Sequence, residues 1–294
     1  MTGVIVVGDV VTDVVAVHSG QLAVGSDTPA RIRVGGGGSG ANTAAWLAFA
    51  GVPVTLVGAV GADPAGDARI RELVSAGVAC AVPTKDAPTG AVVVLSGGAE
   101  RTMLADRGAN LLLAPVDVDA GLAQAPAARH LHLSGYALLD GASREAGRYA
   151  LAAAAARGLT TSVDAASAAP LRGSPFLDWV RGVDVLLANA DEAAALVGPD
   201  PPDVLARRLA SGVAHAVVKC GRDGAVWASH HGPVVSAPAE PAEVVDPTGA
   251  GDAFAAGLLA AWLAGAGPAE ALRAGALFGA RAVAVVGGRP VPGG

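Results

Sequence analysis

Apolar residues fall into short unbroken runs along this chain. VIVVG (4–8), VTLVGAVG (54–61), HLHLSG (130–135), LTTSVDA (159–165), VDVLLAN (183–189) and AHAVVKCG (214–221) each read as a strand buried on both faces of a parallel sheet. Helix-like segments lie between them, over 40–50, 63–77, 141–157 and 201–211. Alternation of this kind predicts right-handed βαβ units in a doubly wound, mostly parallel sheet flanked by helices. No linker or repeat interrupts residues 1–294, so a single α/β domain is expected.

Two stretches break the rhythm. Residues 11–34 and 86–107 alternate like strands (VVAVHSG, ARIRVGG, TGAVVVLSGG, ERTMLAD) with no helix between. They predict a small antiparallel sheet inserted into the domain. Projecting from it, that sheet would form a lid over the carboxyl ends of the parallel strands, where open α/β sheets bind ligands.

Composition narrows the function classes. Hydrophobic residues make up 52% of the chain and aromatics only 3%, so Ala, Val, Leu and Gly must fill the core. A net charge of −6 argues against nucleic acid or an anionic membrane surface as a charge-driven partner. Cys80 and Cys220 stand far apart without CxxC spacing and read as buried thiols of a reducing cytoplasm. MTGVIVVGDVVTD has no basic segment before its apolar run and carries Asp9 and Asp13, so it does not read as a signal peptide. The uncharged run Ala253–Ala269 is broken by glycine and slightly short of a membrane span, which favours a buried helix. A cytoplasmic protein is expected. No G-x-x-x-x-G-K-[ST] occurs, which excludes a P-loop NTPase, and the six histidines show no zinc spacing. His130 and His132 alternate on a strand and read as packing or surface residues.

The most informative stretch is DPTGAGDAF, 246–254, followed by an Ala/Leu-rich helix-like run. Gly249, Ala250 and Gly251 at a helix start offer unpaired amides backed by the positive end of the helix dipole. Such a loop binds phosphate, because small residues let its oxygens approach closely. Asp252, in the first turn, is placed to take a proton from a hydroxyl that attacks a phosphoryl group. Asp246, ahead of Pro247, is either a ligand or an ordinary loop aspartate. VGGGGSGANTAAWLAFAG, 34–51, formally matches G-x-G-x-x-G, but it does not follow the first strand and lacks the later acidic residue of a dinucleotide site. A helix after Gly40, with Asn42 near its first turn, instead either holds a polar neutral ligand by its amides and that side-chain amide or follows an ordinary tight turn capped by the asparagine. NADE, 189–192, puts Asn189 and Glu192 one helical turn apart at a strand's carboxyl end. There they either order water around a phosphate-bound magnesium or merely start a helix.

Together these segments resemble the ribokinase-like (PfkB) family of carbohydrate and nucleoside kinases. GGSGAN (37–42) is similar to that family's N-terminal signature and DPTGAGDAF to its C-terminal one. NADE resembles its N-x-x-E, and KCGRDGA (219–225) its nucleotide segment, all in the family's order. The resemblance implies a ribokinase-like fold whose lid is a β-clasp, and an ATP-dependent phosphotransferase with Asp252 as general base. It makes Gly249, Ala250 and Gly251 the anion hole, and Asp246 and Thr248 the holders of a monovalent cation such as potassium. Asn189 and Glu192 would serve Mg–ATP, with Glu192 reaching Mg2+ through water. Lys219, Gly221 and Gly224 would line the nucleotide. Asp13, Gly38 and Asn42 match positions that bind substrate hydroxyls.

Departures shape the substrate expectation. The central strand ends in Leu133, Ser134 and Gly135 where ribokinase-type members carry a glutamate, which counts against ribose. Arg107, in ADRGAN, offers a guanidinium to a sugar acid or keto sugar, or is a surface arginine. Ala276 replaces an asparagine that often faces adenine. A small sugar or sugar acid is therefore the expected acceptor. A nucleoside is the alternative, disfavoured because the lid segments hold no Phe, Tyr or Trp. A non-catalytic binding protein on the same scaffold is more remote. The lid sheets offer a homodimer contact.

Overall fold

The computed structural model describes residues 3–97 and 100–291. Nine strands form the main sheet. From one edge their order is Val234–Ala237, Ala225–Ser229, His215–Lys219, Val185–Asn189, Thr160–Asp164, Ala128–Ser134, Gly3–Val7, Val54–Val57 and Ala79–Ala81. The pairings are parallel except at the first edge, where Ala225–Ser229 pairs antiparallel with both its neighbours. The strand order reverses around Gly3–Val7, and such switch points open a crevice beyond the carboxyl ends of the strands. The chain is thus a doubly wound, mostly parallel sheet flanked by helices, with a smaller sheet beside it.

The apolar runs form strands because both faces are covered. One core cluster centres on Ile5, Leu131, Leu133, Leu186 and Phe176, and the other on Val6, Leu47, Leu56, Leu187 and Leu258. The second lies under the helices Ser39–Phe49, Ala250–Leu263 and Pro268–Val283. Helix Ala250–Leu263 takes up the uncharged run as far as Leu263, and residues Ala253 to Leu259 are all buried. Among the described residues no helix is long and apolar enough to cross a membrane.

Several expectations need correction. VTLVGAVG is two strands: Val54–Val57 joins the main sheet, whereas Val60–Gly61 pairs with Thr84–Lys85 in a separate ribbon. The lid sheet runs Ala30–Gly37, Val11–His18, Gly90–Gly97, Glu100–Asp106, and its central pair is parallel, so it is mixed and not antiparallel. The run Gly35–Gly37 is not a turn; it pairs with Val11–Asp13 as the end of a lid strand. His130 and His132 are fully buried. The side chain of Ser162 lies 2.8 Å from both rings, and Thr160 lies 2.9 Å from the first. Burial pushes the His130 pKa down to about 3 and that of His132 to about 4, so both rings stay neutral. Cys80 and Cys220 are free and partly buried, and burial pushes both thiols up, Cys80 to about 11.

Candidate active site

A cleft of about 860 Å3 opens where the carboxyl ends of the central strands meet the lid. Its floor carries the ends of four parallel strands: Asp9 just after Gly3–Val7, Asp164, Asn189 and Lys219. One wall is the start of helix Ala250–Leu263, and the opposite wall is the lid, through Val92, Val94, Met103 and Ala105.

Helix Ala250–Leu263 begins on Gly249, whose φ of 74° lies in the left-handed region. A side chain there is barred twice, because its Cβ would fall 2.4 Å from the Cα of Gly288. The loop therefore turns sharply and brings Gly249, Ala250 and Gly251 to the cleft. First-turn amides have no partner inside their own helix, so this edge is electropositive.

Asp252 follows at once. Its carboxylate accepts hydrogen bonds from Ser39 Oγ and Asn42 Nδ2, both at 2.9 Å, in the first turns of helix Ser39–Phe49. Burial pushes its pKa up to about 7 against those two donors. A carboxylate held in place and poised near neutrality is what a general base needs. Below it, Lys219 Nζ donates to Asp164 Oδ2 at 2.5 Å, and the ammonium lies 3.2 Å from where a Gly251 Cβ would stand. Burial alone would lower the Lys219 pKa, but Asp164 and Glu192 outweigh it and hold the amine above its ordinary value. A fixed positive charge thus sits against the anion loop.

Asn189 and Glu192 form a reciprocal cap on helix Ala190–Val197. Asn189 Oδ1 accepts from Glu192 N at 2.8 Å; Glu192 accepts from Asn189 N at 2.8 Å and from its Nδ2 at 2.6 Å. Both line the cleft, and burial pushes Glu192 up to about 6 although Lys219 opposes the shift. Gly221 and Gly224 bracket a short turn on the same wall, both with positive φ.

Asp246 is buried behind the anion loop. Its carboxylate accepts from Thr248 N and Gly287 N, each at 2.9 Å. The Thr248 hydroxyl beside it is buried and, among the described residues, has no partner. An orphaned oxygen next to a buried carboxylate suits a cation with loose, oxygen-rich coordination.

At the lid end, Asp13 is buried and borders the cleft, and among the described residues no group donates a hydrogen bond to its carboxylate. Burial and the nearby Asp9 push its pKa up to about 6, while Arg289 and Arg69 oppose them. Gly38 starts helix Ser39–Phe49 with φ 96° and also borders the cleft. Arg107 is no loose surface side chain. Its guanidinium lies 3.7 Å over the Tyr136 ring and 3.5 Å from both Asp9 and Asp140. Asn42 reaches the cleft too, but its amide nitrogen is engaged by Asp252, and among the described residues its buried Oδ1 has no partner.

The cleft residues not singled out from sequence for this site include Asp9, Ser39, Tyr136, Asp164 and Ala166. Asp9 accepts from Gly40 N at 3.2 Å and Ser134 Oγ at 3.3 Å, tying the first strand to the helix above. A signal existed for two of them, since Asp9 and Asp164 each end an apolar strand run, where such folds place function.

The family model described as "pfkB family carbohydrate kinase" matches residues 1–292. The chain belongs to that family. It is a carbohydrate kinase by this membership, and pfkB relatives agree. It is 34% identical over 275 residues, 88% of this chain and 84% of the other, to an ATP-dependent ribose-1-phosphate kinase of Halopiger xanaduensis. Identity to a 2-dehydro-3-deoxygluconokinase of Thermoproteus tenax is 32%, covering 80% of this chain and 75% of that protein. Among solved structures, an adenosine kinase from Sinorhizobium meliloti matches with TM-score 0.87 and 26% identity over 99% of this chain and 96% of that one. An E. coli protein assigned as a ribokinase II, solved with ATP and Mg2+, matches with TM-score 0.85 and 25% identity over 98% and 94%.

Proposed function

We propose that this pfkB-family protein transfers the γ-phosphoryl group of ATP to a hydroxyl of a small sugar or sugar acid, with Asp252 as general base. The observation that carries this reading is the placement of Asp252. Its carboxylate, held by Ser39 and Asn42 and shifted to about 7, sits in the same cleft as the anion loop Gly249–Gly251 and the ammonium of Lys219. In this reading the acceptor hydroxyl lies between Asp13 and Asp252. Asp13, without a donor among the described residues, accepts from neighbouring hydroxyls, and Asp252 takes the proton of the attacking one. The loop amides and Lys219 meet the charge spread over the transferring group. Lys219, Gly221 and Gly224 border the nucleotide, and the lid excludes water.

Magnesium and a monovalent cation belong to this reading. Among the described residues no cluster of three or more His, Cys, Asp or Glu side chains gathers as a protein-only metal site. Glu192 and Asn189 nevertheless suit an ion that keeps most of its water and leans on phosphates. Bound there, Mg2+ supplies positive charge to the phosphates of the donor. Asp246 and Thr248, with the orphaned hydroxyl of Thr248, fit potassium beside the anion loop. The protein is taken to act in the cytoplasm. The outer face of the lid, with Ile32, Val34 and Leu104 each at least 60% exposed, is taken as its homodimer contact.

One observation favours a nucleoside acceptor as the second reading. The lid presents Val92, Val94, Met103 and Ala105 to the cleft, an apolar wall that suits a base even without an aromatic side chain.

The test is ADP release from Mg–ATP with D-ribose, ribose 1-phosphate, D-fructose, 2-dehydro-3-deoxygluconate and adenosine, with and without potassium. Acceptor-dependent release with one of the four sugars, raised by potassium, is the expected result. Release with adenosine alone moves the assignment to a nucleoside kinase. No acceptor-dependent release with any of them contradicts both readings.

A further inference from the structure

Three of the four consecutive glycines, Gly35 to Gly37, end the outer lid strand, and two of them lie against charged side chains from elsewhere in the chain. A Cβ on Gly36 would fall 2.1 Å from Arg289 Nη1, and a Cβ on Gly37 would fall 2.1 Å from the Asp13 carboxyl carbon. The strand thus has a carboxylate packed against it at Gly37 and a guanidinium at Gly36, and a side chain at either position would displace one of these charged groups.

Two arginines are built into this place. Arg289, on the C-terminal segment, donates from Nη2 to Gly37 O at 3.1 Å and from Nη1 to Glu72 at 3.2 Å. Arg69, on helix Pro64–Ser75, donates from Nη1 to Gly35 O at 2.6 Å and Thr12 Oγ1 at 3.3 Å, and from Nη2 to Glu72 at 2.5 Å. Asp13 pairs with Gly35 in the lid sheet, so these bonds grip the backbone on each side of it. The segment that carries Arg289 also reaches the transfer end. Gly287 N donates to Asp246, and Gly288 O accepts from Trp46 Nε1 at 2.9 Å. Neither arginine borders the cleft.

We infer that Arg289, with Arg69, is a positioning residue for Asp13: the pair holds the glycine strand flat against it and supplies the positive charge that keeps its carboxylate ionised and ready to accept from acceptor hydroxyls. The inference rests on the reading of Asp13 as a substrate-binding residue. The charged groups acting on Asp13 are Asp9 and Asp246, which favour its neutral form, and Arg289 and Arg69, which favour the ionised one. Glu72 lies between the two arginines and offsets part of their charge. Arg289 is itself so enclosed that burial pulls its pKa down to about 10, still well above neutral, so it stays charged. The sign follows. An ionised Asp13 is needed to accept, so acceptor affinity is lost as pH falls through its pKa, and losing Arg289 raises the pH at which that loss begins.

The experiment measures KM for the acceptor among the five above that turns over fastest, at saturating Mg–ATP, from pH 5 to 8.5. The variants are Arg289→Gln, Arg289→Lys, Glu72→Gln and Asp13→Asn. Arg289→Gln is expected to raise acceptor KM about tenfold at neutral pH and to move its acid midpoint up, with kcat within about threefold. Arg289→Lys, which keeps the charge and loses the forked bonds, raises KM but leaves the midpoint in place. Glu72→Gln moves the midpoint down. An unmoved midpoint in both Arg289→Gln and Glu72→Gln overturns the inference, and if Arg289→Gln does not fold, Glu72→Gln decides alone. Asp13→Asn separates the two levels: unchanged acceptor KM there removes the Asp13 reading and the inference with it. Raised KM in Asp13→Asn with no midpoint shift in the others sinks the inference only.

Discussion

The two ends of the cleft are built differently. At the transfer end every charged group is engaged: Asp252 by Ser39 and Asn42, Lys219 by Asp164, and Glu192 by Asn189. At the lid end Asp13 has no donor among the described residues, Arg107 rests on two carboxylates at 3.5 Å, and the facing lid wall is apolar. The first is a preorganised charge array, suited to a step that changes little from one acceptor to the next. The second is open to whatever hydroxyls or apolar surface an acceptor brings. In the proposed reading, chemistry and selectivity rest on different elements, the start of helix Ala250–Leu263 and the four-stranded lid sheet.

If that division holds, variants at the two ends must fail differently. The largest expected effect is that of Asp252→Asn, which removes the base and leaves the hydrogen-bonded geometry; kcat falls by about 10²–10⁴ while acceptor KM changes little. Steady-state kinetics at saturating Mg–ATP check it. Lys219→Met comes next, because it leaves Asp164 buried without its partner. Urea unfolding should show a loss of about 3–5 kcal/mol, and the double variant Lys219→Met/Asp164→Asn should recover part of it. A single variant as stable as the wild type breaks the picture of a locked transfer end. At the lid end, Asp13→Asn weakens hydrogen bonds to a charged acceptor, each worth about 1.5–3 kcal/mol. Acceptor KM should rise about 10- to 100-fold with kcat and the KM for ATP nearly unchanged. A large fall in kcat in that variant instead means that the two ends do not divide the work.

The smallest effect concerns stability. The folded Asp252 pKa, about 7, stands above the ordinary carboxylate value of 3.8, so the stability it contributes is complete at low pH and is lost as pH rises through about 7. Asp252→Asn should therefore melt a few degrees above the wild type at pH 8, and the gap should shrink towards pH 5. Differential scanning calorimetry at the two pH values decides it.

The helix start at the transfer end was legible in the chain because its parts are contiguous, whereas its partners Ser39, Asn42 and Lys219 come from distant segments. A glycine loop, an acid and a long apolar run within 246–263 form a helix start whatever surrounds them. The strands were legible for the same reason, since six apolar runs name six strands of the parallel sheet. The lid end was not. Tyr136 reaches the cleft only because the chain turns there after strand Ala128–Ser134, and no spacing along the chain reports that. Gly35–Gly37 looked like a turn because four glycines in a row usually make one. It is a strand because it pairs with Val11–Asp13, and the space its missing side chains leave is filled by a carboxylate and a guanidinium that arrive from elsewhere. Arg107 illustrates the same limit: its residue type was noticed, but the stacking on Tyr136 that fixes it is a tertiary fact.

The most direct measurement is kcat against pH, from pH 5 to 9, for the wild type and Asp252→Asn on the same acceptor. The account predicts a wild-type kcat that falls on the acid side with an apparent pKa near 7, and a residual activity in the variant that lacks this limb. The same acid limb in both proteins, or a wild-type rate that is flat down to pH 5, would show that Asp252 does not carry the proton.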